Sequence, residues 1–476
     1  MNDLWQAMLS IRSDVFWGVG LVLAALTTVH ILWHKFEVPS AIGWIGLVWF
    51  APFTGTALYF MLGVNRVERR ARQHRPARHR QGRGRDPDPD PAGGDRHLQL
   101  LQRGVGRITR RPILAGNAAE ILDSGDAAYP PMVAAIGAAQ SSVGLSSYIF
   151  RDDHWGGQFI DALVAAKDRG VEVRVIIDGI GGGWLRMPAY RRLRRNGVKA
   201  ALFFHSLLPW RMPFLNLRSH KKILVVDGRL GFTGGLNIAD ENVMATHPPA
   251  PVVDTHFRLD GPVVAQLVAG FAQDWAFVTG EVLDGDAWFP DLPEADGALA
   301  RVIDAGPDEE IEKIEFAILE AISCAQESIS VITPYFLPDE RLVSALALAS
   351  IRGVSVDVLI PQRSDHRLVD WAMRANSGPL LTHGVRIWRC PPPFRHSKAL
   401  VVDQEWCLIG SSNWDIRSFR LNFELCVEIY DRDLAAKLTA QMQAWRGPRL
   451  TREELRRRPF LRKLADAAVR LGLPYL

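Results

Sequence analysis

Two short runs in the chain carry residue types suited to phosphate-ester chemistry. HKKILVVDGRLGFTGGLN begins at His220, and HSKALVVDQEWCLIGSSN begins at His396. In the first, His220, Lys222, Asp227, Gly234 and Asn237 space out as H-x-K-x4-D followed by G-x-x-N. His396, Lys398, Asp403, Gly410 and Asn413 repeat that spacing at a constant offset of 176 residues, without a gap. One H-x-K-x4-D arises by chance in roughly one chain in twenty of this length; two, each with G-x-x-N at the same distance, do not. Two lysines neutralise non-bridging phosphate oxygens, and asparagine amides donate as charge builds in the transition state. One histidine attacks phosphorus to give a phosphohistidine. The other protonates the leaving alkoxide and then activates the incoming hydroxyl. The expected catalytic set is His220, Lys222, Asp227, His396, Lys398 and Asp403, with Asn237 and Asn413 binding phosphate. No H-x-x-E set or carboxylate cluster accompanies them, so neither a metal nor another cofactor is expected. A nucleophilic histidine needs an acceptor on its second ring nitrogen. Asp254 and Glu424, 34 and 28 residues beyond the histidine of their own copy, are the candidates.

Period-two alternation in H-x-K-x-L-V-V-D sends histidine and lysine to one face of a strand. The apolar run Leu224–Val226 anchors it, Asp227 ends it at a turn, and LGFTGG or WCLIGS returns as a second strand. Upstream, SSVGLSSYIF (Ser141–Phe150) predicts a strand, Gly157–Arg169 a helix and VEVRVIID (Val171–Asp178) a strand. SISVITPYF (Ser328–Phe336), Asp339–Ile351 and VSVDVLI (Val354–Ile360) repeat that order, as do NGVKA (Asn196–Ala200) and HGVRI (His383–Ile387). The fold class is α/β, two repeats of mixed sheet flanked by helices and related by a pseudo-twofold, which brings two histidines and two lysines around one cleft. Tyr148 and Tyr335 are expected as buried strand aromatics, and His154, His205 and His256 as surface or packing residues.

The 476 residues hold 56 Lys+Arg against 52 Asp+Glu, with 48% hydrophobic and 23% charged residues, which excludes a mostly disordered chain and a many-pass transporter. Cys324, Cys390, Cys407 and Cys426 are too few and scattered for a disulfide scaffold or a zinc site, and reduced, mostly buried thiols are expected. Val15–Trp33 and Ala41–Val64 contain no Asp, Glu, Lys or Arg, and each is long enough to span a bilayer as a helix. A cleaved signal peptide fits less well, because Arg12 and Asp14 make a poor basic flank. Nine arginines between Arg66 and Arg85 follow the second span, so both termini are expected in the cytoplasm. RHRQGRGRDPDPDPAGG reads as a linker whose basic half suits anionic headgroups better than nucleic acid. The resulting division is a two-span hairpin (1–65), a basic linker (66–111), two repeats (112–295 and 296–450) and a basic amphipathic segment (451–476). In that last segment Phe460, Leu461, Leu464, Ala468 and Leu471 share one helical face, as in an interfacial helix. Trp184–Arg218, rich in bulky apolar residues and arginine, fits a membrane-dipping rim and a core helix and loop equally.

The duplicated motif resembles the HKD motif of the phospholipase D superfamily. With VPSAIGWIGLVWFAPFTGTALYFMLG, PYFLPDE and RSFRLNFEL, the chain is similar to the bacterial cardiolipin synthases of that superfamily over nearly its whole length, residues 73–111 excepted. The resemblance implies condensation of two phosphatidylglycerol molecules to cardiolipin and glycerol at the inner membrane, with His220 as nucleophile. The implied partners are phosphatidylglycerol, other anionic phospholipids and the membrane, and no nucleic acid. A hydrolytic phospholipase D and a catalytically inactive binding relative are the alternatives. Both intact copies argue against the second, and the anchor against a nuclease.

Overall fold

The computed structural model describes residues 2–35, 38–63, 96–205, 217–292, 297–306 and 311–470. The first repeat contributes β1 (Leu114–Asp123), β2 (Ser142–Ser147), β3 (Glu172–Asp178), β4 (Lys199–Phe203), β5 (Arg218–Ser219), β6 (Ile223–Val226), β7 (Leu230–Gly234), β8 (Val252–Val253) and β9 (Thr255–Asp260). The second contributes β10 (Ala298–Ala305), β11 (Ser328–Ile332), β12 (Phe336–Leu337), β13 (Ser355–Pro361), β14 (Arg386–Cys390), β15 (Phe394–Arg395), β16 (Ala399–Val402), β17 (Trp406–Gly410), β18 (Trp414–Asp415) and β19 (Asn422–Tyr430).

In the main sheet β4-β3-β2-β6-β7-β9-β1 meets β10-β19-β17-β16-β11-β13-β14, so corresponding strands occur in mirrored order about the β1–β10 junction. That junction is antiparallel and irregular between Leu114 and Asn117. Within each repeat the three outer strands run parallel, which requires helical crossovers. Helices His154–Asp168 and Pro188–Arg195 supply them in the first repeat, and Glu340–Ile351 and Arg367–Thr382 in the second. Helices cover these strands, which explains why they carry apolar runs such as Val175–Ile177. Phe159, Leu163, Val175, Leu224 and Phe232 fill the first core. Ile318, Leu346, Val358, Leu400 and Trp406 fill the second.

Two expectations change. Residues 96–109, assigned to the linker, form a helix (Arg96–Thr109) that buries Leu98, Leu101 and Val105 in the second core. His97 Nε2 lies 3.3 Å from the Asp403 carboxylate. Linker residues 66–95 lie outside the described residues. In the N-terminal unit, helix Asn2–His34 contains the one described segment long and apolar enough to cross a membrane, Val15–His34. The second apolar stretch is broken at Ala51, because Pro52 has no N–H to continue the ladder. It forms helices Val38–Phe50 and Pro52–Leu58 and a π turn at Tyr59–Gly63. These fold back on the first helix, with Trp49 Nε1 donating to Thr28 Oγ1 (3.0 Å) and the Tyr59 hydroxyl 2.8 Å from His30 Nδ1.

The motif aspartates are also relocated. Asp227 stands five residues beyond Lys222 along an extended strand, about 16 Å at ~3.3 Å per residue. Its carboxylate accepts the N–H groups of Gln140, Ser141 and Ser142 at the start of β2. Asp403 likewise accepts from Gln326, Glu327 and Ser328 at the start of β11. Both occupy the left-handed turn of the hairpin, at φ 51°. They pin the far end of the motif strand to its neighbour and make no described contact with His220 or His396, so the expectation that they are catalytic is corrected. Asp403→Ala should therefore lower stability by about 2 kcal/mol or more, the scale for hydrogen bonds to a charged group. Thermal melting in detergent checks this. An unchanged melting temperature with collapsed turnover would return Asp403 to the chemistry.

Candidate active site

The two histidines lie where the chain leaves its own repeat. Before β6, the short β5 pairs in parallel with β19 of the second repeat, Arg218 opposite Asn422 and Ser219 opposite Phe423. The His220 N–H then donates to the Phe423 carbonyl at 2.9 Å. Reciprocally, β15 pairs with β8 of the first repeat, and the His396 N–H donates to the Val253 carbonyl at 2.7 Å. One residue further along each partner strand stands a carboxylate. Glu424 therefore meets His220 Nδ1 at 3.0 Å, and Asp254 Oδ2 meets His396 Nδ1 at 2.7 Å. Each carboxylate holds the histidine of the other copy, which reverses the expected own-copy pairing. With Nδ1–H donated to a carboxylate, Nε2 is the reacting nitrogen of each ring.

The imidazole centroids stand 6.5 Å apart, edge to face. Lys222 Nζ donates to the His220 carbonyl at 2.7 Å, and Lys398 Nζ donates to the His396 carbonyl. Lys398 Nζ also lies 2.7 Å from His396 Nδ1, but the carboxylate is the acceptor that an Nδ1–H requires. The intervening residues turn the other way, as alternation requires. Lys221 is buried between Asp274 (3.0 Å) and Asp304 (2.6 Å), and Ser397 accepts from Thr255 Oγ1 at 2.9 Å. Gly234 and Gly410 have φ of 149° and 152°, and a Cβ there would strike the Thr255 or Leu425 carbonyl oxygen of the neighbouring strand. The glycines of G-x-x-N thus permit strand approach. Asn237 Oδ1 accepts from the Ile149 N–H at 3.1 Å, so its amide nitrogen is the end left to donate. Asn413 is buried at the equivalent position, with Oδ1 unpartnered.

The two histidine–carboxylate pairs differ. Glu424 is fully buried, accepts from Ser411 Oγ (2.5 Å) and Asn422 Nδ2 (3.1 Å), and is pushed up to about 7, chiefly by burial. Burial also pushes Asp254 up, but Lys398 and His396 outweigh it and hold the carboxyl below its ordinary range. Burial, then the charges of Lys222 and Lys398, drive His220 well below an ordinary imidazole. His396 is lowered by burial and Lys398 against the opposing pull of Asp254. Burial brings Lys222 down to about 7 and Lys398 to about 8.

Tyr148 and Tyr335 flank the site, contrary to expectation. Their rings lie 5.3 Å from His220 and 6.0 Å from His396 respectively, and both are only half-buried. Each sits just past the end of a central strand, a position at which alternation no longer indicates burial. His154 is exposed, and His205 is tied to the Trp184 carbonyl. His256 is buried in register with Gly234. Trp184 and Leu185 are exposed ahead of helix Pro188–Arg195, and 206–216 lie outside the described residues. Three cysteines are buried and Cys324 half-buried, all free. Among the described residues no three His, Cys, Asp or Glu side chains converge as a metal site.

The model of the cardiolipin synthase, phospholipase D-like domain matches residues 132–275 and 318–445. Cardiolipin synthase A of Pseudomonas aeruginosa PAO1 is 33% identical over 464 residues, 96% of this chain and 94% of that protein. Cardiolipin synthase of Alkalihalophilus pseudofirmus is 31% identical over 479 residues, 97% and 95% of the two chains. The crystal structure of phosphatidylserine synthase from Haemophilus influenzae superposes with a TM-score of 0.62 at 15% identity, over 79% of this chain and all of that one, a likeness of fold. Two motif copies in one cleft and these near full-length matches place the chain in the cardiolipin synthase family of phospholipase D-like enzymes.

Proposed function

We propose that the enzyme transfers a phosphatidyl group from one phosphatidylglycerol to another, giving cardiolipin and glycerol. The observation that carries this reading is the reciprocal site itself, two carboxylate-held imidazoles 6.5 Å apart with two buried lysines beside them. His220 Nε2 attacks phosphorus, the bond to the glycerol headgroup breaks, and His396 gives its proton to the departing oxygen. The hydroxyl of a second phosphatidylglycerol then loses its proton to His396 and attacks the phosphohistidine, releasing His220. Burial and the surrounding cations keep His220 neutral, as a nucleophile must be. Asp254, held ionised, suits His396 to carry the transferable proton. Lys222, Lys398 and the amides of Asn237 and Asn413 bear the phosphate charge in a water-poor cleft.

The lipid surface belongs to the same proposal. The apolar N-terminal hairpin embeds in the bacterial inner membrane as two antiparallel spans, the second kinked at Pro52, with the arginine flank and catalytic unit on the cytoplasmic side. Supporting it, Trp17, Leu21, Leu26 and Trp33 are exposed on the first helix. Helix Phe460–Arg470 lies at the interface as well, with Phe460 and Leu461 both 75% exposed beside Arg462 and Lys463. Leu471, placed on the same face by sequence, lies outside the described residues. No nucleic acid is involved. Phosphatidylglycerol presented by the bilayer then outcompetes water for the phosphohistidine through effective concentration.

Both His220→Ala and His396→Ala should abolish turnover, and a phosphatidyl adduct trapped on quenching should survive only in His396→Ala. An adduct carried by His396 would exchange the two roles.

The pH profile follows from the buried groups. Glu424 must be ionised, so kcat/KM should rise as pH approaches about 7, and both lysines must be protonated, so it should fall again as Lys222 loses its proton around 7 and Lys398 around 8, leaving a narrow maximum near 7. A bound phosphodiester restores charge to the lysines, so the alkaline limb should move upward in kcat. A profile flat across both limbs would contradict the assignment.

In phosphatidylglycerol vesicles, lipid mass spectrometry should find cardiolipin and free glycerol with phosphatidic acid minor, in the presence or absence of EDTA. Added glycerol should reverse the reaction, since the bonds exchanged are alike. Dominant phosphatidic acid without cardiolipin would make the enzyme a hydrolase.

A further inference from the structure

The loops that leave β3 and β13 occupy matching places in the two repeats, and both open beside a catalytic histidine. After β3, the Asp178 carboxylate accepts the Ser219 N–H at 2.9 Å, next to His220. Gly181 then lies against Tyr148, where a Cβ would fall 2.3 Å from the tyrosine carbonyl oxygen. After β13, the Asp365 carboxylate accepts from the Tyr335 hydroxyl at 2.9 Å, and the His366 ring stands 6.1 Å from that tyrosine ring. Tyr148 and Tyr335 are the rings that flank His220 and His396. Both loops therefore belong to the rim of the site.

Each loop runs on into exposed apolar residues. Helix Arg367–Thr382 turns Val369, Ala372 and Met373 into the core, which leaves Leu368 and Trp371, three residues apart, on its outward face. They are 48% and 36% exposed, where an ordinary surface helix carries polar groups. In the first repeat Leu185 is 64% exposed, on a turn held by Arg191 Nη2 donating to its carbonyl at 3.2 Å. Helix Phe460–Arg470, with its own exposed Phe460 and Leu461, packs against helix Arg367–Thr382. The second-repeat rim thus adjoins the surface already proposed to lie at the lipid interface.

The charges around these residues complement anionic headgroups. Arg363 and Arg367 are exposed beside Leu368, and Arg186 beside Leu185. The acids on the second-repeat loop are committed, Asp365 to Tyr335 and Ser364 Oγ, and Asp370 to the Ser364 N–H at 3.0 Å. Exposed leucine and tryptophan beside arginine match an anionic bilayer, whose headgroup layer takes both the apolar groups and the cations.

Resting on the synthase reading, we propose that the second-repeat side of the cleft mouth is a docking rim for an anionic bilayer. Leu368 and Trp371 enter the headgroup layer, and Arg363 and Arg367 pair with its phosphates. Leu185 and Arg186 seat the opposite side in the same way. Phosphatidylglycerol then passes from the bilayer into the cleft without crossing open water. The rim acts on delivery and takes no part in bond making, so it serves bilayer lipid and not a substrate that arrives from solution.

The test uses the full-length enzyme in two arms. In the first, an environment-sensitive fluorophore is placed at Leu368→Cys, and for comparison at Leu348→Cys, both in a Cys324→Ser background. Leu348 is 55% exposed near the end of helix Glu340–Ile351 that is remote from the cleft. On phosphatidylglycerol vesicles the label at 368 should shift to the blue and be quenched by spin-labelled lipid, much less on phosphatidylcholine, and the label at 348 should not respond. In the second, Leu368→Asp combined with Trp371→Asp should lower kcat/KM on phosphatidylglycerol vesicles by at least about tenfold, the scale of one apolar side chain kept in water. Turnover of dispersed short-chain phosphatidylglycerol should stay within about twofold of wild type, which a folding defect would not allow. A label at 368 that stays in water or responds equally to both lipids overturns the rim and leaves the synthase, as does a kcat/KM that falls equally for both substrates or for neither. Absence of cardiolipin from wild-type enzyme on the vesicles overturns the synthase reading, and the rim with it.

Discussion

The active site depends on a crossing of two chain segments. Each histidine segment leaves its own sheet, pairs with a strand of the other repeat, and donates its backbone N–H to the residue just before that strand's carboxylate. The backbone bond sets the register, and the register delivers the carboxylate to the imidazole. Neither repeat can assemble a carboxylate–histidine pair alone. Removing either partner strand would leave a buried imidazole and a buried carboxylate unpaired, a cost of several kcal/mol in a water-poor interior. The two repeats therefore form one catalytic unit, joined also by the antiparallel β1–β10 pairing.

Symmetry brings the parts together, and its local failures divide the labour. Glutamate supported by Ser411 holds one histidine. The other is held by aspartate, and the matching residue is Gly235, where a Cβ would sit 2.1 Å from Asp254 Oδ1. Burial pushes the longer carboxyl up to about 7, whereas Lys398, 3.7 Å from Asp254, and His396 hold the shorter one below its ordinary range. Two chemically equal histidines thus acquire different proton affinities from their neighbours, as a nucleophile and a proton carrier require.

Much of this was legible in the chain. The gapless duplication identified the histidines, lysines and asparagines, and the α/β order followed from strand-like runs alternating with helical ones. The crossing was not legible, because spacing within one copy is silent about which copy supplies a partner. Asp254 and Glu424 were found by residue type and attached to the wrong histidines. The motif aspartates misled for a related reason: a spacing shows that residues recur together but not how far an extended strand carries them apart. The burial of helix Arg96–Thr109 was written in the spacing of Leu98, Leu101 and Val105, obscured by the arginines around them. A single proline divided an apolar stretch that composition alone reads as one span.

The crossing is most directly tested by nitrogen-15 NMR of the imidazoles in histidine-labelled enzyme, comparing Glu424→Gln with Asp254→Asn. Glu424→Gln should move the ring nitrogens of His220 and leave those of His396 nearly in place, and Asp254→Asn should do the converse. The opposite pattern, with each substitution perturbing the histidine of its own repeat, would contradict the reciprocal site.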